Sequence, residues 1–160
     1  MMKVISTKLG ELEVVVNGIF LTEVNFVDQQ NSHSKDKIHT QLLGNKKELN
    51  KVINELQGYM DGKRKKFSVK MDWEGTEFQK KVWQVISQIP YGQTMTYKEI
   101  ARQLGNEKSY RAVANACGAN RIPIVNPCHR VVGSNGGLGG YSGGLWRKKW
   151  MLDMENSKYK

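Results

Sequence analysis

The 160-residue chain has little cysteine, proline or histidine: two, three and three residues respectively. Two cysteines, Cys117 and Cys128, argue against a disulfide framework and are too few for a thiolate zinc site. A mixed site with His33, His39 or His129 lacks CxxC or HxxxH spacing, so no metal is expected. No apolar run approaches the roughly 18 residues of a membrane span. Met1-Met2-Lys3-Val4-Ile5 also lacks the apolar core and small-residue cleavage site of a signal peptide. These absences predict a cytoplasmic protein with no membrane partner.

Negative charge is scarce as well, with 15 acidic against 25 basic side chains and a net +10. The excess is uneven. Residues 1–75 carry 12 basic and 10 acidic groups, whereas residues 76–160 carry 13 and 5, so the second half holds most of the surplus. A basic surface confined to one half is the electrostatic footprint of a polyanion-binding face. A hydrophobic content of 39% is ordinary for a chain with a folded core.

The first half reads as strands packed with one helix. Glu11 to Val16 and Ile19 to Val27 are apolar and β-branched, and Asn17-Gly18 between them predicts a type I′ hairpin. Lys3 to Thr7 is a shorter strand that pairs with the second across Leu9-Gly10. Residues 28–45 are polar and read as a loop. Leu49, Val52, Ile53, Leu56 and Met60 recur at helical spacing until Asp61-Gly62. Lys63-Arg64-Lys65-Lys66 is read as a solvated turn before a strand at Phe67 to Met71.

Past Gly75 the pattern turns helical. Thr76-x-x-Gln79 is a capping box opening a helix whose face is Phe78, Val82, Val85, Ile86 and Ile89, ended by Pro90. Thr96-x-x-Glu99 is a second box, with Ile100, Ala101 and Leu104 inward and Gly105 at the C′ position. Ser109 is the candidate cap of a third helix, Tyr110 to about Ala119. The pair resembles a helix-turn-helix, with Arg102, Lys108 and Arg111 on or beside it. A last helix is expected from about Leu145 to Glu155, packed through Trp146, Trp150, Met151 and Met154.

Pro127-Cys128-His129-Arg130-Val131 carries the chemistry. A thiol must become a thiolate to attack, so Cys128 needs a base or a positive setting. His129 is the adjacent candidate, yet neighbours on an extended chain point apart, so a bridging water is the easier route. Pro127 pre-sets the bend and holds Asn126 extended. On these residues alone, a buried cysteine beside a hydrogen-bonded histidine stands as the other reading. The following segment, Gly133 to Gly144, has seven glycines in twelve residues but matches no phosphate-binding loop. Its glycines allow backbone to approach a flat ligand closely, or form a simple flexible connection.

Tyr97, Arg111-Ala112-Val113, Asn120, Pro123, Pro127-Cys128-His129-Arg130-Val131, Tyr141-Ser142-Gly143-Gly144 and Glu155 share their mutual spacing with one family. With Phe78-Gln79-x-x-Val82-Trp83 and Ile89-Pro90-Tyr91-Gly92, the chain resembles the O6-alkylguanine-DNA alkyltransferases from about residue 75 onward. Residues 1–74 match in outline. The resemblance implies an α+β protein: a ribonuclease H-like α/β structural domain at 1–74 and a mostly helical DNA-binding and alkyl-transfer domain at 75–160.

It also implies roles. Cys128 would accept the alkyl group, deprotonated through water by His129, which Glu155 orients, while Asn120 braces the loop. Tyr97 would donate to guanine N3 and Ser142 to O6. Backbone at Cys128 and Val131 would accept from the exocyclic amine, with Tyr141 and Gly143 completing the pocket. Arg111 would fill the gap left by a flipped nucleotide, in the minor groove, with Ala112, Lys108 and Arg102 on the same DNA face. The implied partner is double-stranded DNA containing O6-alkylguanine, bound by a monomer without a cofactor; O4-alkylthymine is a further candidate substrate. Asn126 departs from the apolar residue usual in relatives, and Cys117 is read as packing rather than as a second acceptor. A lesion-binding protein without transfer, a helix-turn-helix regulator and a cysteine hydrolase are the competing readings.

Overall fold

The computed structural model describes residues 1–29 and 44–157. Most of the expected loop at 28–45, with His33 and His39, and the last three residues lie outside that range. The chain divides into two units, Met1–Trp73 and Glu74–Lys160, and it is α+β.

In the first unit, β1 (Met2–Thr7), β2 (Gly10–Asn17), β3 (Phe20–Phe26) and the two-residue β4 (Lys70–Met71) form one sheet in that order. β1, β2 and β3 are antiparallel, and β4 joins β3 in parallel. The α1 helix (Lys46–Met60) packs on β1, β2 and β3. Leu12, Val14, Val15 and Val16 of β2 and Leu21, Val24 and Phe26 of β3 are buried, with the register shifting between Val15 and Val16, as are Leu49, Val52, Leu56 and Tyr59 of α1. Each such side chain contributes about 1.5–3 kcal/mol on burial.

Two details depart from the sequence reading. Asn17 pairs with Phe20, so the hairpin loop is Gly18-Ile19 rather than Asn17-Gly18. Positive φ falls on Gly18 alone (60°), the pattern of a II′ turn, which needs glycine first, and not of I′. The strand expected at Phe67 to Met71 shrinks to Lys70–Met71, because only Phe20 and Leu21 offer it a partner.

The second unit holds α2 (Glu77–Ser87), α3 (Tyr97–Gln103), α4 (Tyr110–Gly118) and α5 (Leu145–Met154). Both capping boxes form, Thr76 with Gln79 and Thr96 with Glu99. α4 packs on α2 and α3, and the Trp83 indole donates to the Ala116 carbonyl at 2.8 Å. The expected Ser109 cap is absent: a 3-10 turn, Glu107–Ser109, leads into α4, and Asn106 caps that turn through the Lys108 amide. Phe78 is exposed rather than inward, since it lies in the first turn of α2.

The larger correction is in α5. Trp146 is 53% exposed, while Met151, Leu152, Arg147 and Lys148 are buried. Cations occupy the inward side of its first turn because loop carbonyls are there to receive them. A final small sheet pairs β5 (Met95–Thr96) in parallel with β6 (Val131–Val132). This bridge sets Tyr97, the first residue of α3, beside the segment ending in Cys128-His129-Arg130.

Candidate active site

The segment from Asn120 to Val131 is almost wholly buried. Asn120 shapes it by gripping both sides: its Oδ1 accepts from the Ile122 amide at 3.0 Å, and its Nδ2 donates to the Asn126 carbonyl at 3.0 Å. The Cys128 amide donates to that same carbonyl at 2.8 Å. Ile124 has φ 74°, a left-handed conformation that costs a β-branched residue about 1–3 kcal/mol. The Asn126 side chain is fully buried, and neither of its polar atoms meets a hydrogen-bond partner among the described residues.

Cys128–Arg130 is a 3-10 turn, not the extended chain assumed from sequence. With three residues per turn, adjacent side chains diverge by about 120°, so Cys128 and His129 still face different groups. His129 Nε2 lies 2.6 Å from Glu155 Oε2, and Arg130 Nε donates to Glu155 Oε1 at 2.6 Å. Arg130 also donates to the Ile89 carbonyl at 2.8 Å. All three side chains are buried.

The charge states follow. Burial pushes the Glu155 carboxyl up, but the hydrogen bond from His129 and the charge and hydrogen bond of Arg130 outweigh it and hold the carboxyl below its usual range. Burial pushes His129 down, more than Glu155 raises it. Glu155 is therefore ionised and His129 neutral at pH 7. The neutral ring donates from Nε2 to the carboxylate, which makes Nδ1 its basic nitrogen.

Burial pushes the Cys128 thiol up, opposed by a hydrogen bond from Asn120 and by the charge of Lys148. Lys148 is the site residue the sequence reading missed. Its Nζ donates to the carbonyls of Val131 at 2.6 Å and Gly140 at 2.9 Å, and burial lowers its pKa to about 8 against the nearby thiols of Cys128 and Cys117. Arg147, also missed, donates to the Gly143 carbonyl at 2.7 Å. The only sequence signal was the run Arg147-Lys148-Lys149, which reads as a solvated helix face.

Tyr97 is half-buried, its hydroxyl 3.5 Å from the Gly140 carbonyl. Burial, then the Cys117 thiol, push it up to about 12, so it stays a proton donor at neutral pH. A Cβ on Gly139 would come within 2.9 Å of the Tyr97 hydroxyl, and Gly139 itself has φ 70°, so glycine is required there twice over. Tyr141 is half-buried, with its phenol raised well above the usual range by burial; Ser142 is exposed and Gly143 buried.

Arg102, Lys108, Arg111 and Ala112 are exposed on α3, the 3-10 turn and the first turn of α4. Arg102 pairs with Glu107 at 3.1 Å, and Arg111 lies 5.8 Å from the Tyr110 ring. Cys117 is buried on α4, its thiol raised by burial and then by Cys128. Among the described residues, no three His, Cys, Asp or Glu side chains converge as a metal site, and no helix is long and apolar enough to cross a membrane.

Residues 1–73 match the ribonuclease-like domain of 6-O-methylguanine DNA methyltransferase, and residues 77–157 match its DNA-binding domain. The methylated-DNA–protein-cysteine methyltransferase of Methanosarcina mazei is 47% identical over 126 residues, covering 79% of this chain and 80% of that one. The crystal structure of the Mycobacterium tuberculosis O6-methylguanine methyltransferase superposes with a TM-score of 0.85 at 36% identity, covering 99% of this chain and 94% of that one. A structure of the mycobacterial protein in complex with DNA also has a TM-score of 0.85, at 35% identity over 97% and 92% of the two chains. The chain belongs to the 6-O-methylguanine DNA methyltransferase family, whose members act in DNA repair by alkyl transfer.

Proposed function

We propose that the protein removes the alkyl group from O6-alkylguanine in double-stranded DNA by moving it to Cys128, once per molecule. The observation that carries this reading is the buried chain Arg130–Glu155–His129 beside a cysteine braced by Asn120. A cysteine needed only for packing does not call for an ionised carboxylate and two basic residues buried next to it.

His129 Nδ1 takes the Cys128 proton through a water, and the Lys148 ammonium and the Asn120 amide stabilise the thiolate. The thiolate attacks the alkyl carbon: an S–C bond forms as the C–O6 bond breaks, and the electron pair returns to guanine. Tyr97 meets the charge that builds at N3, and Ser142 meets O6. Val131 and Cys128 offer carbonyls to the exocyclic amine. The Val131 carbonyl already accepts from Lys148 and keeps a second lone pair for the base. S-Alkylcysteine is a thioether with a poor leaving group, so the acceptor is spent.

The alkyl carbon is stacked inside a duplex, so the nucleotide must be extruded, which costs a few kcal/mol. Arg111 and Ala112, exposed at the start of α4, fill the vacated stack, while Lys108 and Arg102 contact phosphates. In a titration of protein against O6-methylguanine duplex, methyl loss is expected to stop at one equivalent. Cys128→Ala binds the duplex and removes nothing. Several turnovers per protein, or removal by the variant, would contradict the reading, and tight binding by wild type without removal would favour a lesion-binding protein.

A further inference from the structure

Arg147 is 1% exposed, yet it sits in the first turn of α5, where the helix dipole disfavours a cation. Burying a guanidinium is costly unless it is well paired. Its Nη1 donates to the Gly143 carbonyl at 2.7 Å, and its Cζ lies over the ring of exposed Trp146, 4.6 Å from the centroid. That carbonyl belongs to the peptide unit joining Gly143 and Gly144. The N–H of the same unit donates to the Tyr141 carbonyl at 3.0 Å, closing a β-turn with Ser142 and Gly143 at its centre. The three groups form one polarised hydrogen-bond chain, guanidinium to peptide to Tyr141 carbonyl. On the other side Lys148 fixes Gly140. The lip is thus held at both ends, and Ser142 is exposed between them.

We propose that Arg147 is a positioning residue: by fixing the Gly143–Gly144 peptide it sets the turn on which Ser142 meets O6 of the bound base. Trp146 supports it by stacking on the guanidinium. The inference rests on the reading of Cys128 as acceptor, and a double-mutant cycle tests it. Single-turnover transfer from O6-methylguanine duplex and from free O6-benzylguanine is measured for wild type, Arg147→Ala, Ser142→Ala and the double variant. Iodoacetamide labelling of Cys128 serves as a control for the thiol itself.

Arg147→Ala is expected to slow transfer about tenfold or more on both substrates, with little change in iodoacetamide labelling. In the Ser142→Ala background, its removal adds less than about twofold. Arg147→Lys restores part of the rate, and Trp146→Ala gives a smaller loss that likewise depends on Ser142. Trp146→Ala supplies the reading if Arg147→Ala does not fold. Equal losses with and without Ser142, or a parallel loss of iodoacetamide labelling, would overturn the proposal while leaving Cys128 as acceptor. A wild type that never transfers the alkyl group would overturn both.

Discussion

The two units treat buried polarity in opposite ways. Among the described residues, the first unit buries one charged side chain, Glu55, and pairs it with the Ser68 amide and hydroxyl and with surface Arg64. The second buries His129, Arg130, Arg147, Lys148 and Glu155, together with Asn120 and Asn126. A fold selected only for stability gains little from buried ion pairs, because desolvation offsets the attraction. The first unit follows that logic, with an apolar core and one anchored carboxylate. The second, which holds both buried cysteines, accepts the cost and a strained Ile124 as well. Buried charge therefore separates the two units, and the second is the one we propose reacts.

Glu155→Gln should break the comparison most severely. The variant keeps the shape but leaves Arg130 buried without its counter-charge and removes the group that orients His129. Transfer should fall about 10²-fold or more, with stability reduced by about 3–5 kcal/mol, read by single-turnover kinetics and urea melts. The wild-type pH dependence has a definite sign. The depressed Glu155 carboxyl contributes stability that is lost as pH falls through its folded value. His129, also depressed, binds its proton more readily in the unfolded chain, so stability rises with pH up to the ordinary histidine range. Glu155→Gln should flatten the acid slope.

Arg111→Ala comes next. It should slow transfer from duplex about tenfold to a hundredfold while leaving transfer from free O6-benzylguanine near wild type. Equal losses on both substrates would remove Arg111 from the DNA face. Lys148→Met should lower the rate several-fold below about pH 8 and abolish a decline above it, where wild-type Lys148 loses its proton. Between about 8 and the usual lysine range the unfolded chain binds the extra proton, so wild-type stability rises with pH there. The variant should lose that rise. Glu55→Gln completes the contrast with the smallest effect on chemistry: about 1–3 kcal/mol of stability is lost, and the transfer rate of the folded protein is unchanged.

Local rules made much of the fold legible. The Thr76 and Thr96 capping boxes, the α1 stripe ended by Asp61-Gly62 and the apolar run of β2 depend on near neighbours, and the structure has them. The sequence reading failed where distant partners decide. The two-residue strands β5 and β6 exist only through each other, and Gly18-Ile19 became the turn because the β2–β3 register moved it there. Arg147 and Lys148 were passed over, since nothing nearby in sequence reveals that Val131, Gly140 and Gly143 would offer them carbonyls. At the site, Cys128 and His129 were read from the residues, Asn120 and Glu155 from the resemblance, and the structure brings them together. The link from Arg130 to Glu155 was not foreseen, because the resemblance that paired His129 with Glu155 assigned Arg130 no role.

The most direct measurement of the central claim is peptide mapping of the protein after reaction with an O6-methylguanine duplex. The account predicts one added CH2 unit on the peptide carrying Cys128 and none on the peptide carrying Cys117. Methyl on Cys117, or an unmodified Cys128 after the lesion has disappeared from the DNA, would contradict it.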